Sequence, residues 1–156
     1  VMFGDVELTV HCAAELLKRA PEYDYLIAPE AKAIPLLYEM ARQSGAEKYF
    51  LARKGAKAYM TGVFEVEVRS ITTMHIQKLV IDTADAELIK GKKILIVDDV
   101  ISTGESLHAM EELVKRAGGI IAGKMAVLAE GDAKDRDDII TLAPLPLFNA
   151  DGTVKA

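Results

Sequence analysis

Fifteen consecutive residues, Lys93-Ile94-Leu95-Ile96-Val97-Asp98-Asp99-Val100-Ile101-Ser102-Thr103-Gly104-Glu105-Ser106-Leu107, restrict the fold more than any other part of the chain. Ile94 to Val97 are all apolar and rich in β-branched side chains, as a parallel strand buried on both faces requires. Two carboxylates, Asp98 and Asp99, stand where this strand ends. A small polar turn, Ser102 to Ser106, follows. Leu107, Met110, Val114 and Ala117 then share one helical face, with Glu111, Glu112, Lys115 and Arg116 mostly off it. Gly118-Gly119 ends the helix.

This strand, turn and helix have a chemical consequence. A turn that opens into a helix N-terminus aims backbone N–H groups at one spot, and the helix dipole adds partial positive charge there. Gly104 permits close backbone approach, while Thr103 and Ser106 add hydroxyl donors. Together these form a phosphate cradle. Asp98 and Asp99 beside it can accept hydrogen bonds from sugar hydroxyls or hold a divalent cation. Anion donors on one side and acids on the other suit a ribose 5-phosphate. Ser102-Thr103-Gly104-Glu105 also fits S-x-x-E, an ordinary capping box. The acid pair weighs against that plainer reading, because unpaired carboxylates at a strand end need a partner.

Three other readings fail on the letters. A Walker loop needs G-x-x-x-x-G-K-[ST], which is absent. A hydrolase nucleophile elbow at Gly104-Glu105-Ser106 lacks its closing glycine, since His108 stands there. It also lacks a histidine downstream of the acid, because the histidines are His11, His75 and His108. A receiver domain carries its paired acids early, whereas too little chain follows Asp99 here.

The run Ile94–Leu107 closely resembles the phosphoribosyl pyrophosphate (PRPP) motif of type I phosphoribosyltransferases: apolar strand, Asp-Asp, two apolar residues, then a Thr-Gly loop. Supporting stretches occur in the right order, and the resemblance is nearest to the adenine and related purine branch.

At 156 residues the chain reads as a single domain over residues 1–156, large enough for its own core. Apolar residues make 51% and charged ones 28%, a globular balance. The net charge of −5 argues against general nucleic-acid or anionic-membrane binding. Cys12 alone cannot make an internal disulfide framework or a cysteine-rich metal site. No signal peptide and no apolar run of membrane length is apparent, so a cytoplasmic protein is expected.

Residues 7–19 read as a helix with Leu8, Cys12, Ala13, Leu16 and Leu17 on one face. Tyr25–Ala28 is a short strand, followed by a helix with Pro35 in its first turn and Gly45 after it. Tyr49–Ala52 is a strand that delivers Arg53-Lys54. Residues 55–62 read as a mobile loop. Val66–Arg69 and Met74–Gln77 alternate as antiparallel strands with a turn near Ser70-Ile71. Asp82–Leu88 is polar, and Lys90–Lys93 turns the chain into the central strand. Ile120–Leu128 is a strand. Residues 132–138 are heavily charged and read as a solvated loop or helical turn, and Ile139–Leu142 is the last strand. This order predicts an α/β doubly wound domain with a mainly parallel sheet and flanking helices.

The family resemblance implies roles. The 5-phosphate of PRPP would lie on Ser102, Thr103, Gly104, Glu105 and Ser106. Asp98 and Asp99 would be the catalytic pair on the ribose hydroxyls, directly or through Mg²⁺. Pyrophosphate would meet Glu30, Ala31, Lys32, Arg53 and Lys54. Lys32 and Ala33 stand where adenine enzymes carry Arg and Gly, and a lysine supplies charge without a bidentate fork. The antiparallel pair would be a flexible β-hairpin hood over the site, with Val68-Arg69 where the adenine branch carries Glu-Tyr. Tyr59 and His75 are further loop candidates there. Pro144–Phe148 resembles the family's closing segment near the base. Phe3 is the candidate base contact, with a packed terminal aromatic as its plainer reading. The implied activity is a purine phosphoribosyltransferase, adenine first, with PRPP and a purine base as substrates and a homodimer as the assembly. An enzyme for hypoxanthine, guanine or xanthine and a non-catalytic PRPP-binding regulator are the alternatives.

Overall fold

A computed structural model describes residues 4–70 and 74–155. Five strands form one sheet: β1 (Tyr25–Pro29), β2 (Phe50–Ala52), β5 (Lys93–Ile101), β6 (Ile120–Glu130) and β7 (Ile140–Leu145). Their order is β2-β1-β5-β6-β7, and every neighbouring pair is parallel. β3 (Val63–Arg69) and β4 (Ile76–Asp82) form a separate antiparallel hairpin. The expected doubly wound sheet with a hairpin beside it is present.

The period-two alternation of the strands decides which side each residue packs on. Ile27, Ile94, Ile96 and Ala126 face one layer, with Ile89 of α3 (Thr83–Ile89), Leu107, Met110 and Leu113 of α4 (Glu105–Arg116), and Val66 and Leu79 of the hairpin. Leu26, Ala28, Leu95, Val97, Met125 and Val127 face the other. There they meet Ala13 and Leu16 of α1 (Val6–Arg19) and Leu36, Leu37 and Met40 of α2 (Ile34–Ser44). The central strand is apolar on both faces because helices cover both.

Local signals account for most helix ends. Asp5 caps α1 by accepting the Leu8 N–H at 2.9 Å, and Lys18 and Arg19 close its last turn. α2 carries Pro35 in its first turn and ends on Gly45, whose φ of 73° lies in the left-handed region. The polar stretch Asp82–Leu88 is largely helix α3. Asp82 caps it by accepting the Ala84 N–H at 3.1 Å, and Ala86 and Ile89 turn inward. Two buried positions in seven residues give too little periodicity to read ahead of the fold.

One further departure follows from packing, and one expectation is met. β5 runs on to Ile101, so Asp98 and Asp99 lie within the strand, with Asp98 opposite Ala126 of β6. The charged stretch after β6 begins as a 3₁₀ turn, Gly131–Asp135, and leads straight into β7. The hairpin is tied to the sheet edge, since Arg53 and Val80 exchange backbone hydrogen bonds of 2.8 and 2.7 Å. Among the described residues no helix is long and apolar enough to cross a membrane.

Candidate active site

Parallel strands place their carboxyl ends on one side, and the order β2-β1-β5 sets three loops next to each other there. Register fixes their heights: Pro29 lies opposite Ala52, and Ile27 opposite Ile96. The loops that follow contain Glu30–Lys32, Arg53-Lys54 and Ser102–Ser106.

Asp98 carries the most strongly shifted carboxyl of this region. Asp99 is buried and Asp98 half-buried. Asp98 Oδ1 accepts the Asp99 N–H at 2.8 Å, and Asp99 Oδ1 accepts the Val100 N–H at 2.9 Å. Burial pushes the Asp98 carboxyl up to about 7, and hydrogen bonding to the Asp99 side chain adds to the rise. Lys32, from the loop after β1, pulls the other way, so the two loops share one electrostatic field. A carboxyl held at raised proton affinity, as Asp98 is, would be relieved by positive charge or hydroxyl donors. Among the described residues no cluster of three or more His, Cys, Asp or Glu could hold a metal. A cation here would be held by this pair with oxygens from ligand and water, as Mg²⁺ commonly is.

The turn after β5 opens α4 without a side-chain cap. Gly104 is the cap residue, with φ 81°, so the S-x-x-E capping box does not form. The reason is register: the helix begins at Glu105, two residues later than a Ser102 cap requires. Thr103 Oγ1 accepts the Glu105 N–H at a long 3.4 Å, and His108 N–H closes the first intrahelical bond on Gly104 C=O at 2.9 Å. The Ser106 and Leu107 N–H groups have no acceptor within the helix. Glu105 turns its carboxylate toward the hairpin, where Ser70 Oγ donates to it. A cleft of about 650 Å³ lies above this turn. Arg69, Ser70 and Gln77 of the hairpin line one wall, Thr103–Glu105 the floor, and Glu130, Asp132 and Leu147 the far wall.

The loops after β1 and β2 are joined through Glu30. Its Oε2 accepts Arg53 Nε at 2.8 Å and its Oε1 accepts the Lys54 N–H at 2.6 Å. These bonds, the Lys54 N–H first, hold the Glu30 carboxyl below its usual value. Arg53 Nη1 donates to the Tyr59 hydroxyl at 2.6 Å. The structure thus pairs Glu30 with Arg53 and the Lys54 N–H, sets Lys32, with Ala31 on its loop, within electrostatic reach of Asp98, and carries Asp98, Asp99 and the 102–106 turn on β5 and the loop that follows it. His75 contributes its carbonyl to the Ser70 N–H at the end of the hairpin. Phe3 lies outside the described residues.

One residue of this region was not anticipated. A Cβ added to Gly104 would stand 2.7 Å from Nη1 of Arg136, so that guanidinium lies directly against the turn. Arg136 donates from Nε and Nη2 to the two oxygens of Asp138 at 2.8 and 2.6 Å. Asp138 also accepts from Lys124 Nζ at 2.9 Å, and Lys124 bonds Glu111 of α4 at 2.9 Å. Arg136 first, then Lys124, hold the Asp138 carboxyl far below the usual range. A charged, solvated loop or helical turn is the expectation for residues 132–138, and Gly131–Asp135 form a helical turn. Only the alternation of signs hinted at an ordered network.

A doubly wound parallel sheet with a phosphate-type cradle and an acid pair at its carboxyl edge defines a class of ligand-binding α/β domain. Residues 9–143 match the phosphoribosyl transferase domain family, and the chain belongs to it. An adenine phosphoribosyltransferase of Thermotoga sp. (strain RQ2) is 34% identical over 110 residues, covering 70% of this chain and 60% of that protein. The match therefore spans less than two thirds of that curated relative. Among solved structures, the adenine phosphoribosyltransferase of Thermoanaerobacter pseudethanolicus superposes with a TM-score of 0.74 at 23% identity, over 90% of this chain and 83% of that one. The Trypanosoma brucei enzyme, solved with AMP, pyrophosphate and ribose-5-phosphate, gives 0.71 at 16% identity, over 90% and 65%. These likenesses establish the shared fold.

Proposed function

We propose that this chain transfers the ribose 5-phosphate of PRPP to a purine base, adenine first, releasing pyrophosphate and forming a nucleoside monophosphate. The observation that carries this reading is the juxtaposition of the open 102–106 turn with the half-buried Asp98 and buried Asp99. One binds a phosphate monoester and the other the hydroxyls of the sugar attached to it. The family membership and the adenine-enzyme relatives support the same reading.

A ring nitrogen of the base forms a bond to the ribose anomeric carbon as the bond from that carbon to the pyrophosphate oxygen breaks. The nitrogen's proton is lost to solvent or to the departing pyrophosphate. Positive charge grows on the sugar, and negative charge grows on the leaving group. Catalysis is then mainly positioning and charge stabilisation. Backbone N–H groups at Gly104–Ser106, with the Ser102, Thr103 and Ser106 hydroxyls, hold the 5-phosphate. Asp98 and Asp99 accept the ribose hydroxyls, and their charge favours the cationic sugar. Arg53, Lys54 and Lys32 face the pyrophosphate, while Glu30 acts as a positioning residue that aims Arg53. When bound by Asp98 and Asp99, Mg²⁺ would supply charge neutralisation for the pyrophosphate. The hairpin, latched to Glu105 through Ser70, excludes water that would otherwise intercept the sugar. The reading includes the homodimer implied by family resemblance, which light scattering checks.

Pyrophosphate release is the direct assay, with PRPP and Mg²⁺ against adenine, hypoxanthine, guanine, xanthine, uracil and orotate. Release with adenine is the expected result. Release only with a 6-oxopurine reassigns the base. PRPP binding without release for any base would identify a regulator instead.

A further inference from the structure

Arg136 sits outside every stretch that the motif defines, yet its guanidinium touches the motif's central glycine. We propose that Arg136 is a binding residue for the phosphate monoester of the sugar substrate, with Nη1 reaching the phosphate that the Gly104–Ser106 turn cradles. This inference rests on the phosphoribosyltransferase reading and adds a residue to its 5-phosphate site.

Four observations support it. The turn 102–106 contains no cation of its own, so its attraction for a dianion comes only from N–H groups, hydroxyls and the helix dipole. Arg136 spends Nε and Nη2 on Asp138, which leaves the two N–H bonds of Nη1 for another acceptor on the Gly104 side. The guanidinium is aimed rather than loose. Asp138 holds it in a fork, Lys124 holds Asp138, and Glu111 ties Lys124 to α4, the helix whose N-terminus is the cradle. Finally, Gly104 leaves the gap clear, because any side chain there would collide with Nη1. A planar guanidinium with free N–H groups suits a phosphate better than an ammonium point charge would.

The network also explains why the cation persists without ligand. Glu111, Lys124, Asp138 and Arg136 sum to zero charge, so the Arg136 guanidinium is compensated within the network. A phosphate dianion would enter on the Nη1 side without breaking the Asp138 fork.

The test is calorimetric titration of the full chain with ribose 5-phosphate and, separately, with magnesium pyrophosphate. Arg136→Gln should weaken ribose 5-phosphate about 10–100-fold, the range for hydrogen bonds to charged groups, and leave magnesium pyrophosphate unchanged. Arg136→Lys should recover part of that loss. Phosphorus NMR of bound ribose 5-phosphate supplies a readout that a purely structural role would not move. The second phosphate pKa should rise in Arg136→Gln, because a contacting cation favours the dianion. Unchanged ribose 5-phosphate affinity in a folded Arg136→Gln overturns the assignment and leaves the phosphoribosyltransferase reading intact. Equal weakening of both ligands with no pKa change assigns Arg136 to the fold instead. A folded wild type that binds no ribose 5-phosphate at all overturns the broader reading, and this inference with it.

Discussion

The loop after β1 and the loop after β5 are both strand-to-helix turns on the same edge of the sheet, yet their polar groups are spent differently. After β1, both Glu30 oxygens are occupied, by Arg53 and by the Lys54 N–H, before any ligand arrives. After β5, Gly104 caps α4 without a side chain, and burial raises the proton affinity of Asp98. The first loop is a braced arm that presents cations. On the proposed function, the second is a receptor whose polar groups would be completed by what binds. Bracing of this kind fixes geometry in advance, whereas the open site stores unfavourable electrostatics that binding relieves.

The comparison is broken most severely at the receptor. Asp98→Asn with Asp99→Asn should lower turnover by at least about 10³-fold, more than one lost electrostatic contact. Circular dichroism should show the fold intact, and near-normal turnover in that double variant would remove the pair from the site. At the braced arm, Arg53→Ala should raise the KM for PRPP about 10–100-fold. Glu30→Gln should do less, since it loosens the aim of Arg53 without removing the charge. Steady-state kinetics that rank Glu30→Gln above Arg53→Ala would show that Glu30 does more than position.

Gly104→Ala comes next. It forces a side chain into φ 81° and against Arg136 Nη1, at a cost of about 1–2 kcal/mol from the backbone alone. Urea denaturation should reveal that loss, together with weaker ribose 5-phosphate binding. Asp98 then sharpens the electrostatic side of the contrast. Its proton affinity is higher folded than unfolded, so the folded state binds more protons between about pH 4 and 7. Ligand-free stability should therefore fall as pH rises through that window. Asp98→Asn should remove the fall and raise the melting temperature at pH 8, by about 2–4 °C per kcal/mol recovered. Melting curves at pH 4 and pH 8 that shift equally would contradict it. The smallest effect belongs to Ser70→Ala, which removes the hairpin's bond to Glu105 and should change the KM for PRPP only about two- to fivefold.

Much of this was legible beforehand, and unevenly. The central strand, its acid pair and the glycine turn were readable because they lie within fifteen residues and obey short-range rules. The basic pair Arg53-Lys54 was readable as a strand end. The extension of β5 past Asp99 was not, because pairing with β6 continues it. Helix α3 hid behind its polar composition, and the capping box failed by a two-residue shift in where the helix begins. The brace at Glu30 joins residues more than twenty positions apart, which no local pattern encodes.

What the amino-acid order determined by itself was every feature governed by near neighbours: the alternation that splits Leu95 and Val97 from Ile94 and Ile96, the helix faces, and the turn with its glycine. What the tertiary structure alone decided was which loops meet. Strand order set Lys32 beside Asp98, and the crossover from β6 to β7 carried Arg136 back to Gly104, thirty-two positions earlier. The physical reason lies in range. Backbone conformation and face periodicity depend on side chains a few residues apart. A Coulombic or hydrogen-bonded contact across the sheet depends on the register of strands that the chain must first bring together.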